Sequence, residues 1–455
     1  MKVKDILNIT KGQLIIGNEK IECQNFSKDT RTIEEGDIYI GIKGEKFDGS
    51  QFWKQALDNG AEVVIVENVE ISREEMEKYS NKTIIKVENT LDALYKIAKY
   101  KRSLYDIPVI AVTGSVGKTS TKDIIASVVS TRYKTLKTEG NNNNNIGLPL
   151  TILKLKDHEA LVIEMGMNHF GEISLLTDIA KPTLAVITNI GTSHIGNLGS
   201  RENILKAKLE ILEGMVQSKI IINNDNDLLH QWFEENKEDI EIYTYGIENK
   251  SDLNAQDIKL HEEGSQFTAV SAMQNLNIQV PVGGEHFVYN ALCATKVGQI
   301  LNISNEKIQQ GIAQFELTKK RMDIRKLGNG AILINDAYNA SYESMKASLE
   351  FLEKYTGTRK IAVLGDMFEL GGFSEELHKK VGEEVANNNI DILICAGENS
   401  KYIIEEAEKK SKIQTYYFNN NEEIVEKLAE ELRNGDVVLV KASNGMKFFE
   451  ICQKL

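Results

Sequence analysis

The chain has 455 residues, enough for two to four domains at roughly 100–200 residues each. Apolar residues make up 41% and charged residues 27%, ordinary values for a soluble globular protein. The formal net charge of −13 argues against a general nucleic-acid coat or a polybasic membrane binder, and leaves room only for a local basic pocket.

The N-terminus, Met1-Lys2-Val3-Lys4-Asp5, opens an amphipathic stretch and has no signal-peptide core, and no uncharged apolar run nears the about 18 residues of a membrane span. Short strands are predicted at 36–42, 62–67 and 83–87, followed by an amphipathic helix over 90–103, so residues 1–104 read as a small α/β domain. At 107–114 a buried-type strand runs into a Gly-rich turn and a helix. Further apolar strands at 160–165, 184–189 and 219–224 alternate with helical patterns, which predicts a mostly parallel sheet across 105–320. A third block, 321–455, has strands at 331–336, 360–366, 391–397 and 436–441 and reads as a second doubly wound, Rossmann-like domain. The whole is α/β in three domains. Its four cysteines (Cys23, Cys293, Cys395, Cys452) are far apart and form no CxxC pair, which suits buried thiols in a reducing cytoplasm better than disulfides or a zinc site.

The clearest chemistry lies at Thr113-Gly114-Ser115-Val116-Gly117-Lys118-Thr119-Ser120. Glycines let backbone N–H groups approach phosphate oxygens, the helix N-terminus adds positive potential, Lys118 can reach a β/γ-phosphate, and the Thr119 hydroxyl can ligate Mg²⁺. Val112 stands where the standard spacing has its first Gly. Glu164 ends the strand Leu161-Val-Ile-Glu facing this loop, a position that suits either a metal ligand or a solvated strand-end acid. Lys208 is distinctive by periodicity. With 200–212 read as one helix and Ile204 at zero, Lys208 falls about 40° round, inside the arc of Leu205, Leu209, Ile211 and Leu212, with Lys206 opposite. A lysine there is paired, modified, functional or snorkelling.

The shortened loop T-G-S-x-G-K-T resembles that of the Mur ligase family, ATP-dependent amide ligases of peptidoglycan precursor synthesis, and the resemblance covers almost the whole chain. Phe26-Ser27-Lys28-Asp29-Thr30-Arg31 and Gly44-Glu45-Lys46-Phe47-Asp48-Gly49 resemble its UDP-sugar-binding N-terminal domain. Thr138–Pro149, with the Asn141–Asn145 run, resembles its G-N-x-N-N-x-I-G-x-P loop, and Val162–Ile173 its second-strand motif. Asp336-Ala-Tyr-Asn-Ala, together with Leu364–Ser374 and His378, resembles the branch that joins D-Ala-D-Ala to UDP-MurNAc-tripeptide.

The resemblance implies roles. Gly114, Ser115, Val116, Gly117, Lys118, Thr119 and Ser120 would hold ATP, with His286, Asn290, Arg321, Asp336 and Asn339 closing on it. Ser27, Asp29, Thr30, Arg31, Phe47, Asp48, Gly49, Asn141, Asn143 and Asn144 would bind substrate. Thr119, Glu164, His194 and Lys208 as its N-carbamate would hold two Mg²⁺ ions, with Lys118, Lys208, Glu164 and His194 serving catalysis. Three positions depart from the family pattern: Phe287 replaces the first Asn of the 284–290 motif, Ser341 stands where Pro is usual, and Asn444 where Arg is usual. The expected protein is a cytoplasmic monomer acting on UDP-MurNAc-tripeptide and D-Ala-D-Ala, without nucleic acid or membrane insertion. Another ligase of this family or a folylpolyglutamate-type ligase is the near alternative, opposed by the 364–378 segment. A P-loop phosphotransferase or nucleotide switch would explain Lys118 and Thr119, but neither Lys208 nor a second doubly wound domain.

Overall fold

The computed structural model describes residues 1–22, 25–44, 47–262, 264–272, 274–317 and 321–455. Cys23, Glu45 and Lys46, quoted above, lie outside the described residues. Three sheets follow one another along the chain.

The first has five strands in the order Gln13–Ile16, Thr83–Lys86, Val63–Val66, Ile38–Ile40, Phe26–Ser27. All pairings are parallel except that of the Gln13–Ile16 edge. One face is covered by helix Thr90–Ser103, which buries Leu94, Ile97 and Ala98 and is capped by Asn89 accepting from Asp92 N at 2.8 Å. The other carries a cluster of Tyr39, Trp53, Leu57, Val64 and Ile84.

The second sheet has nine strands, and Val109–Thr113 lies between Ala160–Glu164 and Leu184–Ile187. All three strands are buried along their length, which is why they read as unbroken apolar runs. After Val109–Thr113 the chain visits the edge strand Thr135–Lys137, returns to Ala160–Glu164, and then crosses to the other side. The carboxyl end of Val109–Thr113 is therefore a topological switch point, where open α/β sheets bind ligands. Helix Lys118–Ser130 packs beneath it against helix Glu285–Ile300.

Six of the eight pairings in this sheet are parallel, and the two exceptions are at the far end. Leu253–His261, Gly264–Val270 and Asn275–Val280 form an antiparallel meander that the sequence reading left out. Their buried and exposed positions largely alternate, so they lack the continuous apolar runs used to find the others.

The third sheet runs Asp323–Lys326, Ile332–Asn335, Val437–Lys441, Lys360–Gly365, Ile392–Ala396, Gln414–Phe418. Only the first pair is antiparallel. One helical boundary differs from expectation. The 200–212 segment is an α-helix only over Arg201–Leu209, capped by Ser200, and tightens to a 3₁₀ turn over Glu210–Leu212. Lys208 is nonetheless buried and Lys206 exposed, as the periodicity predicts. Among the described residues no helix is long and apolar enough to cross a membrane.

Candidate active site

The turn after Val109–Thr113 is built for close backbone approach. Gly114 has φ +151°, and a Cβ there would come within 1.9 Å of Thr188 Oγ1. The loop is braced by the end of the neighbouring strand. Val116 N donates to Asn189 Oδ1 at 2.9 Å, Asn189 Nδ2 donates to Val116 O at 2.9 Å, and Thr188 Oγ1 donates to the same carbonyl at 2.7 Å. Thr188 and Asn189 were not singled out from sequence, although they end an apolar strand as Glu164 does.

Lys118 is half-buried, not the solvated cation that its loop position suggests. Its ammonium donates to Gly114 O at 2.8 Å and Ser115 O at 3.2 Å. Burial lowers its pKa, Glu164 opposes that shift, and Arg321 adds to it.

Thr119 and Glu164 meet directly. The Thr119 hydroxyl donates to Glu164 Oε2 at 2.8 Å, and the Asn143 amide donates to Oε1 at 2.7 Å. Glu164 is 2% exposed. Arg321 reaches the same place, donating from Nη2 to Thr119 Oγ1 at 3.1 Å with its guanidinium 4.3 Å from the Tyr338 ring centre. Its Nε is buried without an acceptor among the described residues.

A cavity of about 210 Å³ lies between the phosphate loop and the third sheet. Its walls include all of Ser115–Ser120, His286 and Asn290 from the Glu285–Ile300 helix, and Arg321, Asp336 and Asn339. The nucleotide set proposed from sequence therefore converges on one space, apart from Gly114 just behind the loop. Asn290 Oδ1 accepts the Thr121 hydroxyl at 2.9 Å. Burial holds His286 down to about 4, with Asp336 opposing and Lys441 reinforcing. For Asp336, burial pushes upward but is outweighed by Lys441 and by the Ser348 hydroxyl at 2.8 Å. The Lys441 ammonium sits on the Asp336 carboxylate and also donates to Asn339 O at 3.2 Å. Lys441 ends a buried strand, a signal that could have flagged it.

The three departures have local explanations of unequal depth. Phe287 is buried against Phe315, with ring centres 6.3 Å apart. Ser341 caps helix Tyr342–Lys354. Asn444 opens an exposed 3₁₀ turn, and nothing in the structure explains the absence of Arg there.

His194 adopts φ +64° and presses Nδ1 against the Glu369 carboxylate, while Gly196 N donates to Glu369 O at 3.0 Å. Gly196 and Gly371 then approach so closely that a Cβ on Gly196 would lie 2.5 Å from Gly371 N. Lys208 is 2% exposed, with no hydrogen bond or ion pair among the described residues. Burial drives its pKa well down, and Lys118 is near enough to push it further. No three His, Cys, Asp or Glu side chains among the described residues converge as a ready metal cluster.

The other substrate candidates lie apart from the cavity. Arg31 pairs bidentately with Asp29, at 2.9 and 2.6 Å, which holds the Asp29 carboxyl down to about 2. Ser27 Oγ donates to Asp29 O, and Thr30 O accepts from Asn59. Asp48 caps the Gly49–Phe52 turn through Ser50 N at 2.9 Å, and Phe47 is 64% exposed beside Phe52. Tyr39 ties the two loops together: it donates to Gly49 O at 2.7 Å, and burial together with the Asp29 and Asp48 charges raises its hydroxyl to about 12. In the asparagine run, Asn143 meets Glu164, Asn144 Oδ1 accepts from Gly147 N at 2.8 Å, and Asn141 is exposed.

Comparison with known proteins covers the full length. Residues 24–102 match the model for the Mur ligase family catalytic domain, 112–298 that for the Mur ligase middle domain, and 320–444 that for the Mur ligase glutamate ligase domain. The chain is 38% identical to UDP-N-acetylmuramoyl-tripeptide–D-alanyl-D-alanine ligase of Bacillus subtilis, over 100% of this chain and 98% of the relative. It is 32% identical to the protein of that name from Escherichia coli, over 88% and 86% of the two chains. A crystal structure of MurF from Acinetobacter baumannii superposes with a TM-score of 0.89 at 29% identity, covering 100% and 98%. MurF from Thermotoga maritima in complex with ADP superposes at 0.81, also at 29% identity, covering 95% and 96%.

Proposed function

The chain belongs to the Mur ligase family, and from that premise we propose how its own residues carry out the ligation of D-alanyl-D-alanine to UDP-N-acetylmuramoyl-tripeptide. The reaction is ATP-dependent and builds a peptidoglycan precursor. The observation that carries the reading is the cavity whose walls come from the phosphate loop, the Glu285–Ile300 helix and the third sheet together.

A carboxylate is a poor acyl donor. Its oxygen attacks the γ-phosphorus of ATP, a P–O bond forms, and ADP leaves, giving an acyl phosphate. The dipeptide amine then attacks the carbonyl carbon. The C–N bond forms, phosphate departs, and the amine loses its proton. Backbone N–H groups at the start of helix Lys118–Ser130 would hold phosphate oxygens, and Lys118 would exchange its carbonyls for them. The unmatched Nε of Arg321 offers a charged donor to the same phosphates. Asp336 and Asn339 close the nucleotide from the third sheet, and Asn290 and His286 flank it from the helix. Seating of that sheet excludes water, which would hydrolyse the acyl phosphate.

Thr119 and Glu164 present adjacent oxygens, a donor set that fits Mg²⁺ and would hold it by displacing their mutual hydrogen bond. When bound, the ion offsets phosphate charge. Lys208, desolvated and without a hydrogen-bond acceptor among the described residues, fits an uncharged amine able to take up CO₂. With His194 it would complete a second site.

The UDP-sugar would lie against Ser27, Asp29, Thr30, Arg31, Phe47, Asp48 and Gly49, and the peptide near Asn141, Asn143 and Asn144. The proposed division is 1–104, 105–320 and 321–455, supported by the confinement of each sheet to one segment. Free buried Cys293, Cys395 and Cys452 support a cytoplasmic place, and the proposed form is a monomer.

The test is phosphate release from ATP with UDP-MurNAc-tripeptide, with and without D-Ala-D-Ala. Sustained release should need both. Equal release without the dipeptide would favour a phosphotransferase instead.

A further inference from the structure

A carboxylate from the third-sheet region reaches into the loop beside the phosphate loop. Glu343, in the first turn of helix Tyr342–Lys354, accepts from Thr192 N at 2.7 Å on Oε1 and from Thr192 Oγ1 at 3.1 Å on Oε2. One residue back, Gly191 N donates to Ser115 Oγ at 2.9 Å, and Ser193 Oγ donates to Ser115 O at 3.3 Å. Ser115 belongs to the phosphate loop, so a single peptide unit separates the incoming carboxylate from it.

Two carbonyls of this loop are engaged as well. Ile190 O accepts from Arg201 at 2.8 Å and from Asn226 at 3.1 Å, and Thr192 O accepts from Ile195 N at 3.2 Å. A Cβ on Gly191 would lie 2.5 Å from Glu343 Cδ, so any side chain there would push the carboxylate aside. Ser341 fixes the start of the helix, since its N–H donates to Ser344 Oγ at 2.9 Å. Thr192 N–H finds its acceptor in Glu343, outside the central sheet.

We propose that Glu343 is a positioning residue that couples the seating of the third sheet to the shape of the phosphate loop, acting through Thr192 and Gly191 on Ser115. With the sheet seated, the carboxylate satisfies two donors and holds 191–192 where Ser115 needs them. With it withdrawn, Thr192 N–H loses its acceptor and Ser115 its fixed neighbour. The effect falls on the rate of the assembled complex and spares the affinity of its parts. The proposal rests on the ligase reading above.

The test compares wild type, Glu343→Ala, Glu343→Gln, Thr192→Val and the double variant Glu343→Ala/Thr192→Val in the phosphate-release assay. Glu343→Ala should lower kcat by roughly tenfold to a hundredfold, with KM for the UDP-peptide changed by less than about twofold. Glu343→Gln should regain most of the rate. Its carbonyl oxygen still accepts from Thr192 N–H, and its amide can donate to the Thr192 hydroxyl. Thr192→Val should add little to Glu343→Ala, because both act on one contact. Small-angle scattering with a non-hydrolysable ATP analogue and UDP-peptide should show contraction in wild type and Glu343→Gln, and less in Glu343→Ala. Wild-type kcat in Glu343→Ala, a Glu343→Gln loss as large as that of Glu343→Ala, or additive effects in the double variant would each overturn the coupling. If wild type itself did not need both substrates, the ligase reading would fail instead, and the scattering comparison would still decide the coupling.

Discussion

Thr119 gives its hydroxyl proton to Glu164 across 2.8 Å, joining the helix that starts at the phosphate loop to the end of the neighbouring strand. These two oxygens are the ones proposed to hold Mg²⁺. Glu164→Gln keeps the shape and removes the charge, so the Mg²⁺ concentration for half-maximal rate should rise roughly tenfold or more. An unchanged Mg²⁺ titration would remove Glu164 from the metal site.

Lys118→Ala should lower ligation by roughly a hundredfold or more, because it deletes a cation aimed at phosphate. The fold should survive. The lost bonds run to two loop carbonyls and contribute about 1 kcal/mol. Turnover near wild type in folded protein would contradict the phosphate-loop assignment.

Lys208→Ala should be almost inactive, and short carboxylic acids should restore part of the rate by filling the vacated anion site. Exposed Lys206→Ala is the control and should behave like wild type. Lys208→Met should melt no lower than wild type, since it replaces a desolvated amine whose charged form burial disfavours. Full activity in Lys208→Ala, or equal losses at 206 and 208, would end the carbamate hypothesis.

Acid should destabilise the fold partly through His286. Its unfolded pKa is near 6.5, while burial holds the folded value at about 4. Between these values the unfolded chain binds more protons, so this contribution is complete above about 6.5 and is lost as pH falls toward 4. The urea midpoint should therefore drop from pH 7 to 4.5, and His286→Gln should drop less. An equally steep fall in the variant would assign the acid limb to other groups.

Arg31→Ala should raise KM for the UDP-peptide and leave KM for ATP unchanged. Its side chain is 83% exposed, so removing the pair with Asp29 should hardly alter stability. A rise confined to ATP would contradict the placement of the uridine site.

The parts of this molecule that were legible in sequence share one physical trait: a periodic or conformational constraint. Buried parallel strands announce themselves as apolar runs, Gly114 and Lys118 by a strand–turn–helix setting, and Lys208 by its angle on a helix. The antiparallel meander escaped because its residues alternate between core and water. Thr188, Asn189 and Glu343 escaped for another reason. Each works through a partner 72 to 151 residues away, and nothing in its local sequence marks that partner.

Gly196 and Gly371 touch backbone to backbone, so the spacing of the two bodies at this point is set by main chain alone. A single methyl at position 196, where the backbone needs no unusual φ, would act as a shim of fixed thickness. Gly196→Ala thus offers a way to prop the molecule ajar without altering any charge, and so to trap by crystallography the arrangement through which substrates enter and product leaves.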